Sequence, residues 1–490
     1  MPRITLDFDG WMPDQQSFGK KGLRRCFGVY PLEFSYKPFN QLQTFSTNAL
    51  LRRCQGAVIA TDTNNQSYNF AGDSSALYRM ISTTFVDVSR ATPYNTPSSA
   101  TWSFAQFGNN LYACNSDPLG AAFSASNGDR LQVLSLSTGT TFANISPDPG
   151  LLAATITTIR DFMVIGNVTQ VTSNSGTYVQ RVRWSAVNNP LSWTANATTM
   201  ADAQDIVGDG GAIIKIIGGQ YGVVFQRKAI TRMDFIGSPL VFQFNEVQSN
   251  LGTVAKNSVV NYQNMIFFIS DDGFYAFDGS QVIPIGRGKV DESFWKGNLS
   301  DLQVNQSFLH RIVAEIDPEN KLVLWSYANA TNLTGNPNVI LVYSWAYNKW
   351  SALTGIDIEY LTQHLSAGGK TTLAVYNNAN GLSRFTGSQD SALFQMAEMQ
   401  FNPNGLSTVV EARPYFETSG TAVSAVVTCF VRNNLQANFT AADSMAIDSK
   451  GVANMRSTAK YHSVRITFPP GGTIYHIYGL DIEFQPHGWR

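Results

Sequence analysis

One pattern recurs along the middle of the chain: a short apolar strand, a turn rich in Gly, Asn or Asp, and a second short apolar strand. Phe104 to Phe107 leads into Gly108-Asn109-Asn110 and then Leu111-Tyr112. This is a hairpin signature, because glycine and asparagine enter the positive-φ region of tight turns at little cost. The same arrangement surrounds Gly218-Gly219 between Ile213 and Phe225, and Asp271-Asp272-Gly273 between Met265 and Phe277. It returns around Asp317-Pro318-Glu319-Asn320 between Ile312 and Trp325, and around Asn377 to Gly381 between Leu373 and Phe385. From Tyr68 to Phe385 almost no 11-residue window carries a helical apolar period, so the pattern defines an all-β chain.

Taking one central strand residue per hairpin, at Tyr112, Met163, Val224, Phe268, Val323 and Ala374, gives steps of 51, 61, 44, 55 and 51 residues. Propeller blades of four strands repeat at about 40 to 50 residues, so the series predicts a degenerate β-propeller with loop insertions. Leu77-Tyr78 marks one further blade, for about six or seven. A twisted four-stranded sheet buries both faces only against neighbouring blades, which is why several must close into a ring. Past Gln395 the strands lengthen, at Thr408 to Phe416, Ala425 to Arg432, His462 to Phe468 and Thr473 to Phe484. The expected division is an extended N-terminal arm over residues 1–60, a propeller over 61–392 and a small C-terminal β-domain over 393–490.

Charge narrows the function. Only 14% of the 490 residues are charged and the net charge is -1, against about 25% charged in an ordinary soluble domain. Such a chain has no general attraction for nucleic acid or anionic membranes. Its polar, neutral, aromatic-rich surface suits subunits that cover one another. Met1 to Gly19 holds Asp7, Asp9 and Asp14 and no apolar core, so no signal peptide is expected, and no stretch reaches the 18 apolar residues of a membrane span. Cys26, Cys54, Cys114 and Cys429 lie far apart and read as buried free thiols.

Candidate chemistry is sparse. Glu315 and Asp317, and Asp271, Asp272 and Asp278, could be imagined as a glycosidase pair, but each reads as a turn or strand-edge residue. His310, His364, His462, His476 and His487 stand singly, without the close pairs that bind transition metals, and read as exposed or capping residues. Gly208-Asp209-Gly210-Gly211 lacks the Lys-Ser/Thr of a phosphate loop, and Asp202, Asp205 and Asp209 lack the spacing of an EF-hand. The expectation is therefore no catalytic residue, no cofactor and no metal, hence not an enzyme. The one dense charge cluster is Lys20, Lys21, Arg24 and Arg25, with Arg52 and Arg53 further on. These residue types bond carboxylates and carbonyls of a neighbouring subunit, or phosphates of DNA.

Several segments carry a resemblance. Arg181 to Thr194, with Arg183, Trp184, Ser185, Pro190 and Trp193, resembles the "RW-S-x-x-x-x-P-x-x-W" segment of the tail nozzle proteins of short-tailed bacteriophages, also called tail hub or packaged-DNA stabilisation proteins. Phe267 to Gly279, with Gly273, Tyr275, Asp278 and Gly279, then Leu341 to Trp350, and finally Arg465 to Phe468 with Tyr478 to Leu480, follow in that family's order. The likeness runs from about Tyr68 to Trp489. It implies a propeller-bearing structural protein of the virion tail, made in the bacterial host cytoplasm. It further implies a homo-hexameric ring below the portal and adaptor, in contact with needle, plug or fibre proteins, through whose axis double-stranded DNA passes transiently without membrane insertion. The alternative is a carbohydrate-binding or carbohydrate-cleaving propeller used in host recognition.

Overall fold

In the computed structural model the described residues are 1–15, 22–118, 128–172, 175–365, 369–420 and 423–487. Seven four-stranded antiparallel blades follow one another, six as separate sheets and one as the first four strands of a nine-stranded sheet. Blade 1 is Gly56–Thr61, Ser67–Gly72, Leu77–Ile81 and Thr84–Asp87; blade 2 is Ser103–Phe107, Asn110–Cys114, Gln132–Ser135 and Ala143–Asn144. Blade 3 is Leu151–Ile159, Phe162–Gln170, Gly176–Trp184 and Asp202–Asp205, and blade 4 is Ile213–Ile217, Gly222–Gln226, Ala229–Gly237 and Val241–Ser249. Blade 5 is Val260–Tyr262, Met265–Ile269, Phe274–Phe277 and Val282–Pro284, and blade 6 is Val313–Asp317, Leu322–Tyr327, Val339–Ser344 and Lys349–Thr354. Blade 7 takes Tyr360–Leu365, Thr371–Tyr376 and Leu382–Arg384, and its fourth strand is Gln43–Thr44 from the N-terminal segment.

The apolar core is divided in the way a propeller demands. Each buried cluster joins two adjacent blades: Phe70, Leu77 and Trp102 with Leu111 and Leu134 for blades 1 and 2, or Phe162 and Trp184 with Val224 and Phe242 for blades 3 and 4. Ala71, Tyr78 and Phe85 of blade 1 pack with Ala374, Tyr376 and Leu382 of blade 7, which closes the ring. Blades 5 and 6 share Phe274, Trp325 and Trp350, whose rings meet at centroid distances of 5.0 to 5.8 Å. That cluster continues into the C-terminal domain.

The C-terminal domain is a sandwich of two sheets. One sheet is an extension of blade 6: Lys349–Thr354 touches Leu23–Phe27 in parallel through Phe27 and Ala352, and then come Ala392–Met396, Tyr461–Phe468, Val426–Arg432 and Thr440–Ala446. The other contains Val29–Pro31, Tyr36–Pro38, Ile474–Pro486, Ser407–Thr418 and Ala453–Ala459, with Arg3–Asp7 also paired to Ile474–Pro486. Between them lie Leu6, Tyr36, Ile477 and Ile482 from one side and Cys26, Phe394, Val464 and Ile466 from the other. Phe8 stacks on Phe394 at 4.6 Å.

The N-terminal segment corrects the sequence reading. Residues 1–60 are not an extended arm outside the propeller: four of their strands belong to the C-terminal sandwich and a fifth completes blade 7. The partners lie far along the chain, Arg3 bonding Glu483 across 480 residues, so no local pattern announces them. No helix of the described residues is long and apolar enough to cross a membrane.

Candidate functional site

The basic cluster seen in the sequence is split by the described residues. Lys20 and Lys21 lie outside them, whereas Arg24 and Arg25 stand on Leu23–Phe27, inside the extended sheet. Leu23 pairs with Met396 and Arg25 with Gln395, so Arg24 is an extra residue, a β-bulge. In a regular strand the inward Leu23 would send Arg25 inward as well, since alternate side chains share a face. The bulge resets that alternation. Leu23 and Cys26 stay in the core while Arg25 joins an outward row with Gln395, Arg465 and Thr428.

That outward row opens a cleft of about 340 Å³ lined by Arg24, Arg25, Arg432, Arg465, Phe430 and Phe439. Glu398, 1% exposed, holds Arg432 through a two-pronged pair, with Nε to Oε1 at 2.7 Å. Arg25 reaches Asp301 at 2.9 Å. Arg465 donates to Oε1 of Gln395 at 2.9 Å and lies over Phe430 at 4.4 Å, while Arg432 lies over Phe439 at 4.8 Å. Four guanidiniums thus face two carboxylates. Partial burial, followed by repulsion from Arg25, pushes Arg24 and Arg465 below the ordinary arginine range.

The second cavity is the propeller axis, about 540 Å³, lined by the innermost strands of all seven blades. Lys215 and Glu315 both line it without forming a direct ion pair. Burial pushes Glu315 up to about 7, against the pull of the Ile316 N–H and the Gln363 amide, which it accepts at 3.0 and 3.1 Å. Lys256 is pushed down to about 7 by burial, and its Nζ donates to the Thr101 carbonyl at 2.8 Å. Glu315, expected from sequence to be a turn or strand-edge residue, instead faces the axis, two positions before the turn residue. Asp317 is the turn residue, its Oδ1 accepting from the Glu319 and Asn320 N–H groups. Two of the singly placed histidines are also buried and not exposed, His364 and His462.

The signature residues of the sequence resemblance do not converge on a site. Trp184 is buried between blades 3 and 4 and donates to Met200 O at 2.8 Å. Arg183 donates to Trp193 O, Trp193 donates to Pro190 O, and Ser185 Oγ accepts from Met163 N and donates to Ala186 O, so this motif ties one corner of blade 3. In blade 5 a Cβ at Gly273 would meet the Asp291 carboxylate at 2.4 Å, and Gly279 has φ +96° with the Tyr221 hydroxyl 2.6 Å from where a Cβ would stand. Asp278 Oδ1 accepts from Ser280 N, Ser280 Oγ and Gln281 N, which lowers its carboxyl to about 2, and Tyr275 donates to Asp272 at 2.8 Å. Trp350 is fully buried and donates to Ile285 O at 3.2 Å. Arg53, grouped with the basic residues by sequence, instead reaches Glu359 at 3.6 Å.

No family model and no curated protein matches the chain. Among solved structures it is similar to the WD40 domain of Pan2 from Neurospora crassa, at 9% identity and a TM-score of 0.40 over 71% of this chain and 95% of that one. It is also similar to BBS1N in complex with ARL6DN, at 10% identity and 0.39 over 70% and 95%, and to the dihydro-heme d1 dehydrogenase NirN, at 9% and 0.34 over 83% and 75%. Likenesses this distant carry no argument about function.

Proposed function

We propose that the protein is a structural subunit of a short bacteriophage tail, a nozzle or hub component. In this reading six copies form a ring below the adaptor and extend the channel through which DNA leaves the virion. The observation that carries it is the placement of the segments that resemble nozzle proteins. Arg183 to Trp193 tie blade 3, Gly273 to Gly279 build blade 5 and Trp350 belongs to blade 6. The resemblance therefore follows the scaffold through three separate blades in chain order and does not rest on a single turn motif. The continuous sheet from blade 6 into the C-terminal sandwich supports it, because a subunit held in a ring under internal pressure needs its two parts joined stiffly.

In this reading DNA runs along the axis of the ring of subunits and not through a propeller axis, whose cavity is only about 540 Å³. Near-zero net charge favours passage over retention, since every neutralised phosphate adds affinity that the moving duplex would have to break. The decisive experiment is cryo-electron microscopy of tails carrying the chain, with copy number counted by quantitative mass spectrometry. Six copies around the tail axis are expected; one copy, or none in the virion, overturns the reading.

A further inference from the structure

We propose that the arginine cleft of the C-terminal sandwich is a docking site for an acidic protein segment, whose side-chain carboxylates are received by Arg24 and Arg465. That the segment belongs to a neighbouring tail component rests on the reading above; the chemistry of the cleft does not. Asp301 and Glu398 already engage Arg25 and Arg432. Arg24 has no carboxylate or carbonyl partner among the described residues, and Arg465 has only the neutral Gln395. The cleft therefore keeps two positive charges in excess, half-buried in one cavity and each repelled by Arg25, an arrangement that is relieved when an anion enters.

Its geometry selects the anion. Phe439 backs Arg432, whose donors are already engaged by Glu398 and by the Leu435 and Ala437 carbonyls. Phe430 backs Arg465, which gives Nε and one Nη to Gln395 and keeps its other Nη for a ligand. A guanidinium held flat against a ring in this way meets a planar carboxylate with its edge. A volume of about 340 Å³ holds about eleven waters at ~30 Å³ each, enough for one or two side-chain heads. A DNA duplex, whose major groove alone is about 12 Å wide, would meet only the rim. The bulge at Arg24 is what brings the unpartnered arginine into this face.

The test is calorimetric titration of the purified full chain with hexaglutamate at low ionic strength, beside a short DNA duplex and inorganic phosphate. Saturable binding of hexaglutamate is expected, weakened about tenfold or more by Arg24→Gln with Arg465→Gln, which corresponds to about 1.4 kcal/mol. Arg181→Gln, which removes a blade 3 arginine paired with Asp205, should change nothing. If the double variant fails to fold, Arg24→Lys with Arg465→Lys serves in its place: it keeps the charge, loses the planar fork and should still weaken binding. No binding of hexaglutamate, binding indifferent to these substitutions, or phosphate binding equally well overturns the proposal. A duplex that binds more tightly, and is lost with the same residues, reassigns the cleft to nucleic acid and also overturns it. Tails that incorporate the double variant normally sink the docking role while the ring reading stands. Specific hexaglutamate binding by a chain absent from tails does the reverse.

Discussion

The propeller and the C-terminal sandwich are both all-β, yet they are assembled by opposite rules. In a blade each strand pairs with the next in sequence, as Phe107 does with Asn110 and Ile159 with Phe162. In the sandwich Arg3 faces Glu483, and Leu23–Phe27 lies between Lys349–Thr354 and Ala392–Met396. Short closures are nearly free in chain entropy and leave turn residues as a record, whereas long closures leave none. The propeller is thus a largely local structure, to which the chain's start adds Gln43–Thr44 of blade 7 and the side chains of Tyr30 and Phe39 packed against blades 6 and 7, while the sandwich cannot exist until both ends have met.

The largest test of this contrast deletes residues 1–31, which removes Arg3–Asp7, Leu23–Phe27 and Val29–Pro31 but spares Gln43–Thr44. It strips Leu6, Phe8, Cys26 and Phe27 from the sandwich core. Limited proteolysis with mass spectrometry should show residues beyond 392 digested rapidly while the blades persist as a resistant fragment. Equal digestion of both parts would break the contrast.

Next in size is Trp350→Ala. Trp350 is fully buried where blades 5 and 6 merge with the sandwich core, so the loss should be about 3–5 kcal/mol. Denaturant titration followed by hydrogen exchange should show both regions weakened together. Trp184→Ala, of similar cost, should leave exchange in Val426–Arg432 and Tyr461–Phe468 unchanged, because Trp184 touches only blades 3 and 4.

The same contrast decides what could be read in advance. The turns at Gly108, Gly273 and Asp317 exposed the blades, and the partial alternation from Ile474 to Phe484 exposed a half-buried strand, because each is written within a dozen residues. Arg24 and Arg25 could be noticed as a charge cluster but not as a cleft. Their common face depends on a bulge and on Gln395, Arg465 and Phe430, which come from distant strands. Glu315 was legible as a carboxylate near a turn, but only closure of seven blades turns it toward an axis shared with Lys215.

Acid should separate the regions by specific groups. His462, buried in the sandwich, has its ring pushed down to about 4, by burial, against its bonds to Ala459 O and Ser407 Oγ. The unfolded chain takes up this proton near pH ~6.5, so the stability His462 confers is intact above that value and is lost as pH falls toward about 4. His462→Asn should flatten that part of the profile for the sandwich. Glu315 has the opposite sign: its carboxyl is raised to about 7, so its contribution to the propeller is present below the unfolded value and lost as pH rises through about 7. Glu315→Gln should therefore stabilise the blades at pH ~8, by about 1–2 kcal/mol given the open channel, and pH-dependent melting of the two variants checks both signs.

The smallest effect probes how firmly the N-terminal segment is docked. Asp14 accepts from the Glu292 and Ser293 N–H groups at 2.8 and 2.7 Å, at the start of the short helix Asp291–Lys296 between blades 5 and 6. The helix has no side-chain cap of its own, its N-cap position being Val290, so a residue 278 positions away in sequence supplies what a local Ser or Asp would normally provide. Asp14→Ala leaves two N–H groups to water and should cost about 1 kcal/mol, while Asp14→Asn, which retains an acceptor, should cost less. Because the bonds join the two ways of building this fold, the readout is local: amide exchange at Glu292 and Ser293 should accelerate in Asp14→Ala without a comparable change in blades 2 to 4. Unchanged exchange would mean that this tie is not held in solution and that the N-terminal segment is anchored by its strands alone.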